Sequence, residues 1–276
     1  MSAAADETTA DGAPKPLRLG GMALRNGLLV HGPTHWSAAV RRKDGTIAVA
    51  SGRKPRLRGR VESVPGARGV VRLGEAMIVI PLVKRALPEA KLPWQDGRLV
   101  GVAAATTLAT TLLRRRFTGT GGEIALAGVS LVPSLMALGS GDLAAYHGVE
   151  HKAIAAYEQG GDDARDAAKE HDRCGSHLMA PMLASNIAGT ALLKRAVDKP
   201  GPVVGTAVSL ASIGLAVEVF NWSERHEASL AARILRRPGY ELQRVIGTRE
   251  PSETQLDVGR AALAEILRAE GVPTAA

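Results

Sequence analysis

DLAAYHGVEHKAIAAYEQGG, Asp142 to Gly161, carries the densest chemistry in the chain and lies between two pairs of apolar stretches. The pattern predicts a helix that starts near Asp142, an N-cap after Ser140-Gly141, and stops at Gly160-Gly161. At about 100° per residue, His147, His151, Ile154 and Glu158 form one stripe, flanked by Glu150. Residues four apart lie roughly 6 Å apart along a helix, so both imidazoles can reach one metal ion. A polar helix face, with its histidines paired to carboxylates or carbonyls, would use the same residues.

The apolar stretches are Leu99–Leu113 and Ile124–Leu138 before this segment, and Leu178–Leu193 and Val203–Val217 after it. Each falls slightly short of the roughly 20 residues that span a bilayer. Two helical hairpins crossing a membrane is the natural reading; a soluble bundle of buried helices is the alternative. With four spans, the N-terminal region, residues 142–176 and the C-terminal region share one side. That side holds most of the Lys and Arg, which makes it cytoplasmic and the protein multi-pass in the cell membrane. The run Arg114–Arg116 falls on the opposite side and conflicts with that topology.

Composition agrees with packed helices. The chain is 45% hydrophobic but only 3% aromatic, and small residues at helix contacts account for that combination. Its net charge of +8 calls for an anionic partner, either nucleic acid or the inner face of a membrane. No nucleic-acid module or interleaved aromatics occur, so nucleic acid is set aside. One cysteine excludes an intramolecular disulfide and fits a reducing compartment.

The expected fold is mainly α: a membrane-associated bundle of about four apolar helices, a small N-terminal β-hairpin region and a C-terminal soluble helix. Residues 1–16 read as a disordered tail without the features of a signal peptide. Residues 17–97 hold the β-rich region, with Lys43-Asp44-Gly45 as a hairpin turn, and an amphipathic helix from Val70 to Leu87 with Pro81 as a kink. The cations between Arg53 and Arg72 suit anionic head groups. Residues 98–222 form the helical membrane domain that contains the 142–176 segment. Residues 223–276 are helical, with a capping box from Ser252 to Gln255 and an end at Gly271. A continuous helix is also expected from Trp222 to Arg237. The partners left open are an unidentified substrate and a second copy of the chain.

A second polar cluster, His171-Asp172-Arg173-Cys174, follows the first. His171 and Cys174 are three apart, which suits two ligands on one turn, and Arg173 beside the thiol favours a thiolate. His147, His151, His171 and Cys174 could make a four-coordinate site; three of them with an open position suit catalysis. Cys174 as a small buried apolar residue is the plain alternative. The spelling His-x-x-Glu-His matches the inverted zincin motif. By that analogy His147 and His151 bind the metal and Glu150 activates water. Mixed nitrogen and sulfur donors favour zinc among divalent metals. Glu158, about two turns from His151, reads as an ion-pair partner rather than a ligand. Arg173 could hold an anionic substrate group or the thiolate.

Taken together, these residues resemble the bacterial YqhQ-like family, membrane-associated proteins of unknown function described as predicted metal-dependent enzymes. The resemblance covers about residues 19 to 268. Tyr146-His147-Gly148-x-Glu150-His151-Lys152 with Tyr157-Glu158 is similar to the family's YHGAEHK and YE, and His171-x-Arg173-Cys174-Gly175 to its HPRCG. Gly32-Pro33, Arg68-Gly69-Val70-Val71 with Glu75, Pro238-Gly239 with Gln243, and Thr248-Arg249-Glu250-Pro251 also fit. The resemblance implies that His147, Glu150, His151, Glu158, His171, Arg173 and Cys174 form the site; it supplies no substrate. The family's opening GGQAVIEGVMMRGP differs here: its Gln is Met22, its Glu is Asn26 and its Arg is His31. The leading expectation is a membrane-bound hydrolase using metal-activated water. The rivals are a non-catalytic assembly or regulatory protein with a structural metal or histidine cluster, and a metal-handling or transport protein. For transport, the spans offer little beyond Asn186 and Glu218.

Overall fold

The computed structural model describes residues 16–55, 67–113, 116–117, 119–161, 163–197 and 201–272. The predicted tail (but for Pro16), the cations Arg56, Arg58 and Arg60, Arg114 and Arg115, and Lys199-Pro200 lie outside the described residues, as do the side chains of Arg68 and Arg72. The chain is mainly helical, with a small N-terminal sheet.

The β-rich region is larger than one hairpin. Strands β1 (Gly20–Leu24), β2 (Gly27–His31), β3 (His35–Arg41) and β4 (Ile47–Arg53) form an antiparallel meander in the order β1-β2-β3-β4. The expected turn joins β3 to β4: Gly45 has φ 88°, and the Asp44 carboxylate accepts the Thr46 N–H at 3.0 Å. Side chains alternate across a strand, so each strand feeds two cores. Leu28, Val30 and Ala39 pack on one side; Leu24, Leu29, Trp36, Ala38 and Val40 pack on the other. The first side is covered by α5 (Gly141–Glu158) and α9 (Glu253–Glu270), the second by α1 (Ala67–Ala86) and residues 87–92. α1 runs through Pro81 without ending.

α5 begins at its N-cap Ser140, two residues before the predicted cap, which leaves Asp142 in the first turn where the helix dipole favours it. Gly160, at φ 66°, ends it. Every residue from Leu143 to Ala156 except His147 is buried. Such burial needs close approach of neighbouring backbone. A Cβ on Gly148 would sit 2.3 Å from the Arg249 carbonyl oxygen, and one on Gly259 of α9 2.4 Å from Val149. α9 has the predicted capping box at Ser252 and Gln255, and Gly271, at φ 76°, closes it.

The apolar stretches fold as α2 (Gly97–Leu113), α3 (Gly119–Ser130), α4 (Val132–Leu138), α6 (Met179–Ala196) and α7 (Pro202–Arg225). One of them, over Val203–Arg225, is long and apolar enough to cross a membrane as a single helix. Four such spans were expected, and the difference has local causes. Pro133 cannot continue the helix from α3, so Ile124–Leu138 breaks at Leu131. α4 then meets α5 across a bend of 77°. α2 rises only about 25 Å, short of a hydrocarbon core of roughly 30 Å. α6 closes on Lys194 and Arg195. The helix expected over 222–237 is also interrupted. α7 stops at Arg225, and α8 (Leu230–Leu242) starts afresh with Ser229 accepting the Ala232 N–H at 3.1 Å.

Because Gly148 faces backbone rather than a flexible side chain, Gly148→Ala is expected to cost about 1–3 kcal/mol through overpacking. Gly74→Ala in α1, where a Cβ would meet nothing within 4 Å, should be neutral or slightly stabilising. Thermal or denaturant unfolding of the two variants checks the contrast.

Candidate functional site

α5 places His147 and His151 one turn apart, with ring centroids 4.3 Å apart. Two loops fix their tautomers. The Nδ1–H of His147 donates to the Gly247 carbonyl at 2.7 Å, and that of His151 to the Lys169 carbonyl at 2.6 Å. Both Nε2 atoms are therefore left as lone-pair donors, the arrangement metal-binding imidazoles adopt. The Cys174 thiol lies 3.4 Å from His147 Nε2. One ligand atom each from His147, His151 and Cys174 falls within a 4.8 Å cluster. Around a tetrahedral ion, bond lengths of about 2.0 and 2.3 Å would separate N and S by roughly 3.5 Å. His151 Nε2 is buried without a hydrogen-bond partner. The donor set, the fixed tautomers and that orphaned nitrogen fit a divalent ion such as zinc.

His171, expected as a ligand beside His147 and His151, is turned elsewhere. Its Nδ1 accepts the Arg173 backbone N–H at 3.2 Å and its Nε2 faces Glu158 at 3.4 Å. Its ring is 5.6 Å from that of His151, beside the triad rather than in it. Glu158 also takes the Arg173 guanidinium in an ion pair. The geometry corrects one electrostatic expectation: Arg173 faces Glu158, not the thiol. Burial pushes the Cys174 thiol up to about 11, against the opposing hydrogen bonds from Ser176. The Cys174 S–H donates a hydrogen bond to His147 Nε2.

Glu150 lies on the other side of the stripe and is buried. Burial raises its carboxyl above the usual carboxylate range, opposed by the imidazoles of His147 and His171. A Cβ on Gly21 of β1 would come within 2.7 Å of the Glu150 side chain, so the glycine lets the strand close over the carboxyl. The triad, Glu150, His171 and Arg173 share a cleft of about 610 Å³ whose opposite wall includes Met22, His31 and Leu138.

The divergent N-terminal positions separate on this map. Met22 and His31 line the cleft. Asn26 instead straps the sheet to residues 89–91: its amide donates to the Arg41 and Glu89 carbonyls and accepts the Lys91 N–H at 2.8 Å. A residue whose role was not read from the sequence is Gln243, fully buried in a π-helical turn over Gln243–Gly247. Its carbonyl accepts the His171 N–H at 2.8 Å, and its amide donates to Ser176 and His177 at 2.9 and 3.3 Å. It holds the second motif in place. His177, three residues after Cys174, has a ligand-like spacing but donates to the Arg236 carbonyl at 2.8 Å, away from the triad.

His31 carries the pH signature of the cleft. Burial, then the nearby Lys54 ammonium, lowers its pKa from 6.5 to about 4. The unfolded chain takes up that proton near 6.5 and the folded chain does not, so stability falls as pH drops below 6.5 and levels out below about 4. The loss from this group is expected to be roughly 2–3 kcal/mol. His31→Gln should flatten that part of the stability curve, read from melting temperatures between pH 7 and 4.

The segment that builds the site coincides with a family match. Residues 141–269, from the start of α5 nearly to the end of α9, match a family described as protein of unknown function (DUF1385). No curated protein and no solved structure matches the chain. On the sequence side, the part of this chain that carries the triad, Glu150, Arg173 and Gln243 is thus similar to an uncharacterised family.

Proposed function

We propose that this protein is a membrane-associated, metal-dependent hydrolase of the YqhQ-like type, with His147, His151 and Cys174 as ligands. One observation carries the reading: two oriented imidazoles and a thiol converge within 4.8 Å, and one imidazole nitrogen is buried with no partner. Three protein ligands leave an open position, as catalysis requires. A divalent ion held there, zinc by its donors, supplies Lewis acidity and a water of lowered pKa. The chain's own groups do the rest. Glu150, whose carboxyl burial raises above the usual carboxylate range, exchanges a proton from the cleft wall. Arg173, steadied by Glu158, presents its guanidinium to an anionic group of the substrate. His171 links Glu158 to the cleft.

The membrane part of the reading rests on exposure. Val100, Leu108 and Leu112 of α2, Met136 of α4, Leu192 of α6 and Leu210 and Leu215 of α7 are all exposed. Bulky apolar side chains exposed on these four helices belong in lipid rather than water. The sheet, α5 and α9 then sit on the cytoplasmic side, where an excess of Lys and Arg is favoured.

Metal analysis tests the centre. Protein purified from the membrane fraction in detergent should hold about one ion per chain, and His147→Ala/His151→Ala should lose it. Glu150→Gln should keep the ion while losing activity. Elemental mass spectrometry of the three proteins reads the metal, and a hydrolase assay reads the activity; no metal in a folded wild type overturns the proposal.

A further inference from the structure

α8 has two unlike faces. Its inner face is packed against the second motif. A Cβ on Gly239 would come within 2.5 Å of His177, Ala232 is fully buried, and Arg236 binds Asp172 through both its backbone carbonyl at 3.0 Å and its carboxylate at 2.9 Å. The outer face is exposed. Leu230 is 72% exposed and Ile234 61%, one turn apart on the same stripe. Arg233 and Arg237 flank that stripe and are exposed. The acid nearest in sequence at the helix end, Glu241, is already paired with Arg244 at 2.7 Å.

A short helix with bulky apolar residues turned outward and arginines beside them matches the interfacial class, which lies in the plane of a membrane surface. The chain before it supports that placement. α8 follows directly on α7, the helix long enough to cross a bilayer, after a break over residues 226–229. Trp222, near the C-terminal end of α7, is 37% exposed and stacks on His226, and tryptophan favours the head-group level. Arg225 closes α7. Cations at this corner select anionic lipid over neutral lipid.

We propose that α8 lies flat on an anionic lipid surface, with Leu230 and Ile234 at the acyl boundary and Arg233 and Arg237 on the phosphates. This rests on the reading of α7 as a membrane helix, and it adds an element that ties the membrane surface to the site. The inner face of α8, continued by Gln243, touches Asp172, Ser176 and His177, so the lipid surface supports the loop that presents Cys174.

Hydrogen exchange of the full chain in nanodiscs tests it. Discs of phosphatidylcholine alone are compared with discs containing phosphatidylglycerol. Amides of residues 230–237 should exchange roughly tenfold more slowly in the anionic discs, and Arg233→Gln/Arg237→Gln should abolish the difference. Unchanged α5 and α9 protection in the variant shows that it is folded. Equal exchange in both lipids overturns the proposal, whether α8 is open in both or protected in both by neutral lipid or a second copy. Free exchange of the central α7 amides in either disc is a separate result: it removes the membrane helix itself, and α8 seating with it.

Discussion

Burying a charged and polar helix is the constraint on which the rest of the structure depends. α5 is enclosed nearly all round, yet it carries Tyr146, Glu150, His151 and Lys152 in its buried part. A buried ammonium without partners is prohibitive, and buried amide-like groups cost several kcal/mol each when unpaired. Lys152 is answered by the carbonyls of Arg165 and Ala167 at 2.9 and 2.8 Å and by Glu250 at 2.6 Å. His147 and His151 are answered by the carbonyls of Gly247 and Lys169. The loops 163–169 and 243–250 are therefore shaped by what α5 buries. The same contacts that satisfy the helix orient its imidazoles.

Close packing and polar satisfaction depend on each other here. The segment after Gly247 reaches the helix because Gly148 has no side chain, and the Arg249 N–H then bonds the Ala144 carbonyl at 2.9 Å. A larger residue at 148 would push that segment out and would take the Gly247 carbonyl away from His147. Gly259 does the same for α9 against Val149, and α9 in turn fixes the sheet through Ser37, whose hydroxyl donates to the Ala262 carbonyl at 2.7 Å. The glycine in the middle of the motif is thus a packing residue with a chemical consequence.

What could be read from the sequence was local. The caps of α9, the β3–β4 turn at Asp44-Gly45 and the helix through His147 and His151 are set by short-range chemistry, and they occur within a residue or two of where the pattern puts them. The expectation that Cys174 joins His147 rests on its spacing of three from His171 and on the second motif. What could not be read were long-range partners. Gln243 fits the family pattern with Pro238-Gly239, but its role is legible only once the fold brings it to His171, Ser176 and His177. The direction of Arg173 was misjudged because sequence adjacency to Cys174 says nothing about which way a flexible side chain turns. Four apolar runs read as spans where, among the described residues, one helix is long and apolar enough to be one, in part because hydropathy does not register that Pro133 divides a run.

The site stands out against that background of satisfied groups. Among the described residues, the buried side-chain polar atoms left without a partner are Arg41 Nε and His151 Nε2. Arg41 spends its other nitrogens on the carbonyls of Gly45 and Thr254, so its orphan is one corner of a bonded guanidinium. His151 has no such excuse: its other nitrogen is engaged, and the free one points to where His147 and Cys174 converge. Glu150 adds a second expense on the same cleft, a buried carboxyl whose desolvation the imidazoles of His147 and His171 offset only in part. A protein that satisfies Lys152 three times over in the same helix does not leave these two groups exposed to desolvation through poor packing. Groups held at a cost beside a cavity are the ones a bound ion and a substrate would satisfy, and that is the physical case for chemistry at this place.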